Sequence, residues 1–147
     1  MPYFQTADEL YRYLGRLLED MSKDPELGPR FRRANTIVQY RTTNPDAVVT
    51  TKLIEGQDGQ VDLGETTLEP EVELSMDGDL AHRFWLGLVS PTKELARGNM
   101  KAKGPVAKIL KLVPLAQPGF ALYIERLRAE GRDDLLEPLH ARESSER

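Results

Sequence analysis

The chain contains no cysteine, which excludes disulfides, thiolate metal sites and thiol nucleophiles together. Histidine is almost as scarce. His82 and His140 are the only two, and no carboxylates surround either in a zinc-binding spacing. No apolar run approaches the roughly 18–20 residues needed to span a bilayer, and the opening MPYFQTADEL lacks the basic and apolar regions of a secretory signal. Surplus positive charge is missing too: the net charge is −4 and the pI about 5.3. A nucleic-acid partner is therefore not expected, since such binding draws on excess cations. Repeats and low-complexity linkers are absent. The expectation is one cytoplasmic domain covering residues 1–147.

What remains is ordinary globular material, 39% hydrophobic and 30% charged over 147 residues, enough for a real core. Thr6-Ala7-Asp8-Glu9 has the form of a capping box. Behind it Leu10, Leu14, Leu17, Leu18 and Met21 share one helical face, to about Ser22, and residues 1–34 read as an N-terminal helical segment. From Thr36 the period changes to that of strands. TIVQYRTT, AVVTTKLIE and QVDLG are separated by Asn44-Pro45-Asp46 and by GQDG, and Val72, Leu74 and Met76 alternate with polar neighbours in a fourth strand. Close succession predicts an antiparallel meander. Asp79 then suits the N-cap of LAHRFWLGL, Ser90-Pro91 opens a helix closed by Gly98, and Asn99–Lys103 fits an edge strand. Pro105 starts a further helix that Pro114 should end. Pro118 begins the last one, which Gly131 closes, and residues 132–147 read as a charged tail. The fold class is α+β, with a mostly antiparallel five-stranded sheet covered on one side by helices.

Catalytic patterns fail one by one. Asp77-Gly78-Asp79 lacks the further ligands of a calcium loop. Gly98 and Gly104 bracket lysines at the wrong spacing for a phosphate loop. Ser90 sits in no Gly-x-Ser-x-Gly elbow. His82 lies among apolar helix residues and suits a structural role. An enzyme would have to use carboxylates, Tyr123 or His82 without a recognisable constellation, so no enzyme, cofactor or metal is expected.

The stretch EVELSMDGDLAHRFWLGLVSPTKELARGNMKAKGPVAKILKLVP resembles the signature half of the sterol carrier protein 2 (SCP-2) domain. It has that family's order: an alternating strand ending in a Met-Asp turn, a helix, a short proline-containing helix, a strand between glycines, and an aliphatic helix. IVQYRTTNPDAVVTTKLIEGQDGQVDLG is similar to the family's earlier strands and hairpin, so the likeness covers roughly residues 35–125. It implies an apolar tunnel between helices and sheet that holds a fatty acid, acyl-CoA, sterol or phospholipid without a cofactor. The wall expected here comprises Phe84, Trp85, Leu88, Met100, Val106, Ile109, Leu110, Val113, Phe120, Tyr123 and Ile124. Three departures stand out. The chain ends Ser-Glu-Arg rather than in a peroxisomal address, Phe84 and Trp85 are bulkier than usual, and Gly104-Pro105 replaces a more polar junction.

The residues suit such a ligand. Val106, Ile109, Leu110 and Val113 fall at i, i+3, i+4 and i+7, one stripe, while Lys101, Lys103, Lys108 and Lys111 offer a cationic rim for a headgroup. The expected partner is thus a lipid-type molecule, with transient membrane contact and a homodimer as further possibilities. The alternative is an interaction or dimerisation module whose cavity is filled, with Phe84, Trp85 and the Phe120 helix as its contact patch.

Overall fold

The computed structural model describes residues 2–145. Helix α1 spans residues 7–23: Ala7–Leu10, a π-helical turn Tyr11–Gly15, and Arg16–Lys23. Thr6 caps it, its hydroxyl accepting from Glu9 N–H at 3.1 Å. The Glu9 carboxylate reaches one residue further back than a capping box requires, to Gln5 N–H at 3.1 Å. Helix α2 (Leu27–Phe31) and a 3₁₀ turn (Arg32–Ala34) lead into the sheet.

The five strands are β1 (Thr36–Thr43), β2 (Ala47–Leu53), β3 (Gln60–Leu63), β4 (Val72–Asp77) and β5 (Met100–Lys103), in the order β3-β2-β1-β4-β5. β1 pairs antiparallel with β2, β2 with β3, and β4 with β5. The expected meander is corrected at one seam: β1 and β4 run parallel, with Tyr40 opposite Leu74, and the sheet is mixed. A two-residue turn cannot join parallel neighbours. Residues 64–71 make the crossing, tied down by Gly64 N–H to Val48 O at 2.8 Å and Glu71 N–H to Ile37 O at 2.9 Å. They cover the outer sheet face, and Gln39 and Thr50 are buried there and bonded to each other at 3.1 Å.

The other face carries Val38, Val49, Leu53 and Val72, which join Leu10, Leu14, Leu17, Leu18, Met21 and Phe31 in the main core. Helices α3 (Gly78–Trp85), α4 (Pro91–Arg97), α5 (Val106–Ala116), α6 (Pro118–Ala129) and α7 (Glu137–Ser145) complete the chain. At the tight junction of β5 and α5, Gly104 adopts φ +124°, and a Cβ there would lie 2.4 Å from the Glu71 carbonyl oxygen. Only glycine fits.

Two expectations about helix ends change. Pro114 lies inside α5 rather than ending it; it is exposed, as is Leu110, so water can take the carbonyl that a proline four residues on leaves unbonded. The charged tail is not merely that: a 3₁₀ turn (Asp133–Leu136) buries Leu135 and Leu136 in the core before α7 begins. Residues 146 and 147 lie outside the described part.

Candidate functional site: an apolar cavity between helices and sheet

Local capping sets the walls. Asp77 rather than Asp79 is the N-cap of α3, its carboxylate accepting from Asp79 N–H at 3.1 Å. Asp79 instead accepts from Tyr3 N–H at 2.8 Å and anchors the N-terminal arm. Ser90 caps α4, and Gly98 closes it in a left-handed conformation at φ 79°. These ends hold α3 and α4 over one end of the sheet, and β5 then feeds α5 back across it.

Between these elements lies a narrow apolar cavity with about 70 Å³ of room for water-sized centres, small beside the roughly 300–1,000 Å³ of small-molecule sites, so a lipid chain has to widen it. Leu10, Leu14 and Leu18 of α1 form one wall. The sheet contributes Tyr40, Thr42, Ala47, Val49, Leu74, Met76 and Met100. Ala81, Phe84 and Trp85 come from α3, Pro91 and Leu95 from α4, and Ile109, Leu112, Val113 and Ala116 from α5. The register explains the floor, because Thr42, Ala47, Met76 and Met100 lie in one row, and Val49, Tyr40 and Leu74 in the next.

Among the described residues no acid, base or histidine lines this space. Thr42 is already committed, its hydroxyl donating to Pro45 O at 2.8 Å. Tyr40 lines the cavity and is half-buried; burial raises its pKa above the ordinary phenol range, with a hydrogen bond to Thr51 opposing. Tyr40 therefore stays a neutral hydroxyl. Such a lining can exclude water from a hydrocarbon chain.

Of the residues expected to line the site, Phe84, Trp85, Met100, Ile109 and Val113 border the cavity. The others lie elsewhere. Val106 and Leu110 are 69% and 60% exposed, on the outer side of α5. At about 100° per residue their mean direction is turned by about 120° from that of the buried Leu112 and Ala116, so the expected stripe straddles the cavity edge, with Ile109 and Val113 bordering the cavity and Val106 and Leu110 outside it. Phe120 packs edge-on against Phe84 and Trp85, at 5.5 and 6.1 Å between ring centres, and buttresses the wall from behind. Leu88 and Ile124 pack against the core outside the cavity.

Tyr123 belongs to a separate buried cluster. His82 Nε2 meets the Leu135 carbonyl oxygen at 2.7 Å, so it must carry the proton and donate. Nδ1 then accepts from the Tyr123 hydroxyl, also at 2.7 Å. Burial pulls the His82 pKa down to about 4, the Leu135 contact opposing, and the ring is neutral at pH 7. His82 is thus a structural bolt between α3, α6 and the C-terminal turn.

The expected cationic rim is mostly engaged. Lys108 Nζ donates to Glu71 Oε1 at 2.7 Å and to Asn35 O at 2.9 Å. Hydrogen bonds from Lys108 and Thr36 hold the Glu71 carboxyl below its usual range. Lys111 Nζ donates to Arg33 O at 3.2 Å. Lys101 and Lys103 alternate with inward-facing Met100 and Ala102 and are exposed.

No family model matches the chain, and no curated protein matches its sequence. Solved structures do match. The sterol carrier protein domain 2 of Helicoverpa armigera is 19% identical over 76% of this chain and 88% of its own, with a TM-score of 0.62. Sterol carrier protein 2 from Yarrowia lipolytica in its apo form is 18% identical over 71% and 87%, TM-score 0.60. Palmitated SCP2L2 from Aedes aegypti is 16% identical over 73% and 93%, TM-score 0.51. The chain has the sterol carrier protein 2 fold. In this version of the sterol carrier protein 2 fold, α1 and the sheet supply ten of the nineteen described lining residues, and sequence reasoning placed only Met100 of these there. Their signal was present in the leucine stripe of α1 and in the alternation through Leu74 and Met76. Periodicity marks such residues as inward-facing without separating filled core from empty space.

Proposed function

We propose that the protein is a non-enzymatic lipid-binding module that takes one apolar chain of a fatty acid, acyl-CoA, sterol or phospholipid into the cavity between α1, α3–α5 and the sheet. The carrying observation is the cavity itself, bordered by nineteen of the described residues, none of them charged. The likeness to sterol carrier proteins, one of them palmitated, supports the same ligand class. Phe84, Trp85, Met100, Ile109 and Val113, with Leu74 and Met76, form the contact surface. Val113, exposed to 36%, marks where the wall reaches the outside.

Magnitudes support the reading. Burying a sixteen-carbon chain at about 0.8 kcal/mol per methylene gives a gross gain on the order of 13 kcal/mol. Association costs of roughly 4–15 kcal/mol offset much of it, which is compatible with micromolar binding. Selectivity by chain length is modest, because one methylene in an apolar pocket is worth about 1–3 kcal/mol. Titrating delipidated protein with a fluorescent fatty acid tests this directly. Saturable uptake near one per chain, displaced by palmitate, is expected. Absence of uptake across acyl chains, sterols and phospholipids would overturn it.

A further inference from the structure

Helix α5 turns an apolar face to solvent. Val106, Leu110 and Val113 are 69%, 60% and 36% exposed, and Ala107 and Pro114 beside them are exposed as well. Single exposed hydrophobics are unremarkable, but a contiguous apolar helix face marks a contact surface. The charge around it is one-sided. From Leu95 to Ile124 the sequence holds Arg97, Lys101, Lys103, Lys108 and Lys111 and no Asp or Glu, in a chain of net charge −4. The bond from Lys111 to Arg33 O lays the cationic flank of α5 along the segment that carries exposed Arg30 and Arg33. Glu71, which also reaches this flank, is neutralised by Lys108.

We propose that this outer face docks on a bilayer surface bearing anionic headgroups: Val106, Leu110 and Val113 enter the headgroup boundary while Lys111, Arg33 and Arg30 sit against phosphates. An apolar face with a basic flank is what interfacial helices present, and each cation near an anionic leaflet strengthens the attraction. A second copy of this chain on the same face would oppose two cationic flanks, so charge favours the membrane. Val113 also borders the cavity. Docking therefore brings the cavity's exposed edge to a source of lipid, a consequence that rests on the function proposed above, although the docking itself does not.

The test is sedimentation of the intact protein with vesicles of phosphatidylcholine, alone or with about one-third phosphatidylglycerol. Binding to the anionic vesicles is expected to be tenfold or more stronger at low salt and to weaken as sodium chloride passes about 0.1 M, where screening acts within about 10 Å. The double variant Val106→Ser/Leu110→Ser should lose roughly tenfold or more, because two apolar side chains no longer leave water. Lys111→Glu/Arg33→Glu should abolish the preference for anionic vesicles. Circular dichroism checks that each variant is folded. The proposal is overturned if the wild type binds neither vesicle, if the folded variants bind like the wild type, or if light scattering shows a dimer that Val106→Ser/Leu110→Ser dissociates. Fatty-acid uptake from solution is measured in parallel. Uptake lost with docking intact would sink the cavity reading alone, and docking lost with uptake intact would sink this one alone.

Discussion

Replacing Ala81 by leucine separates an empty cavity from a filled core by the sign of its effect. Ala81 is only 6% exposed and borders the empty volume from α3. Leucine adds three carbons on a helix that tolerates it well. If they enter vacant space, the ligand-free protein gains up to about 2 kcal/mol, at roughly 0.8 kcal/mol per buried carbon. If that space is already occupied by side chains, overpacking costs about 1–3 kcal/mol instead. The two outcomes differ by roughly 3–5 kcal/mol, well above the error of urea unfolding on delipidated protein. In the same variant, fatty-acid uptake should fall at least tenfold, since the added group occupies the ligand's volume. Ala116→Leu, on the opposite wall, should behave alike. A loss of stability above about 1 kcal/mol with uptake unchanged in both would refute the reasoning.

Other consequences concern the structure around the cavity. His82 has a pKa of about 4 in the fold against 6.5 for the ordinary ring, so between those values the unfolded chain holds more protons. Stability should be fully present above pH 6.5 and decline by up to about 1.4 kcal/mol per pH unit as pH falls towards 4; His82→Gln should flatten that slope relative to wild type in urea titrations across this range. Tyr123→Phe leaves the His82 Nδ1 acceptor unpaired and should cost about 1–3 kcal/mol. It should leave fatty-acid uptake intact, because Tyr123 lies outside the cavity. Gly104→Ala should destabilise strongly and lower the urea midpoint, since its Cβ would meet the Glu71 carbonyl.

Local signals carried most of the architecture. Proline, glycine and capping residues punctuate the chain close to where its elements begin and end, as at Ser90-Pro91, Gly98 and Gly131. The parallel seam between β1 and β4 was not legible, because strand spacing says which segments are near in sequence and not which edge is vacant. β2 occupies one edge of β1, so the chain crosses over residues 64–71 to the other. Helix α5 hid its two faces for a different reason: its lysines, Lys108 and Lys111, mark a flank, while the outside carries the apolar Val106 and Leu110. Ile109 and Val113 could not be told from Val106 and Leu110 until the sheet fixed the helix's rotation. The Tyr123 and His82 pair illustrates the same limit. Both residues read as inward-facing, and only coordinates show that they bond to each other rather than face a ligand.

The methionines provide the most direct measurement. Met76 and Met100 border the cavity, whereas Met21 is buried elsewhere, its sulfur packed by Gly119. With the methionine methyls labelled with carbon-13, adding palmitate to delipidated protein should shift the Met76 and Met100 signals in a saturable way, near one equivalent, and leave Met21 almost in place. Signals from Met76 and Met100 that stay fixed while palmitate is in excess would contradict a lipid-filled cavity at this site.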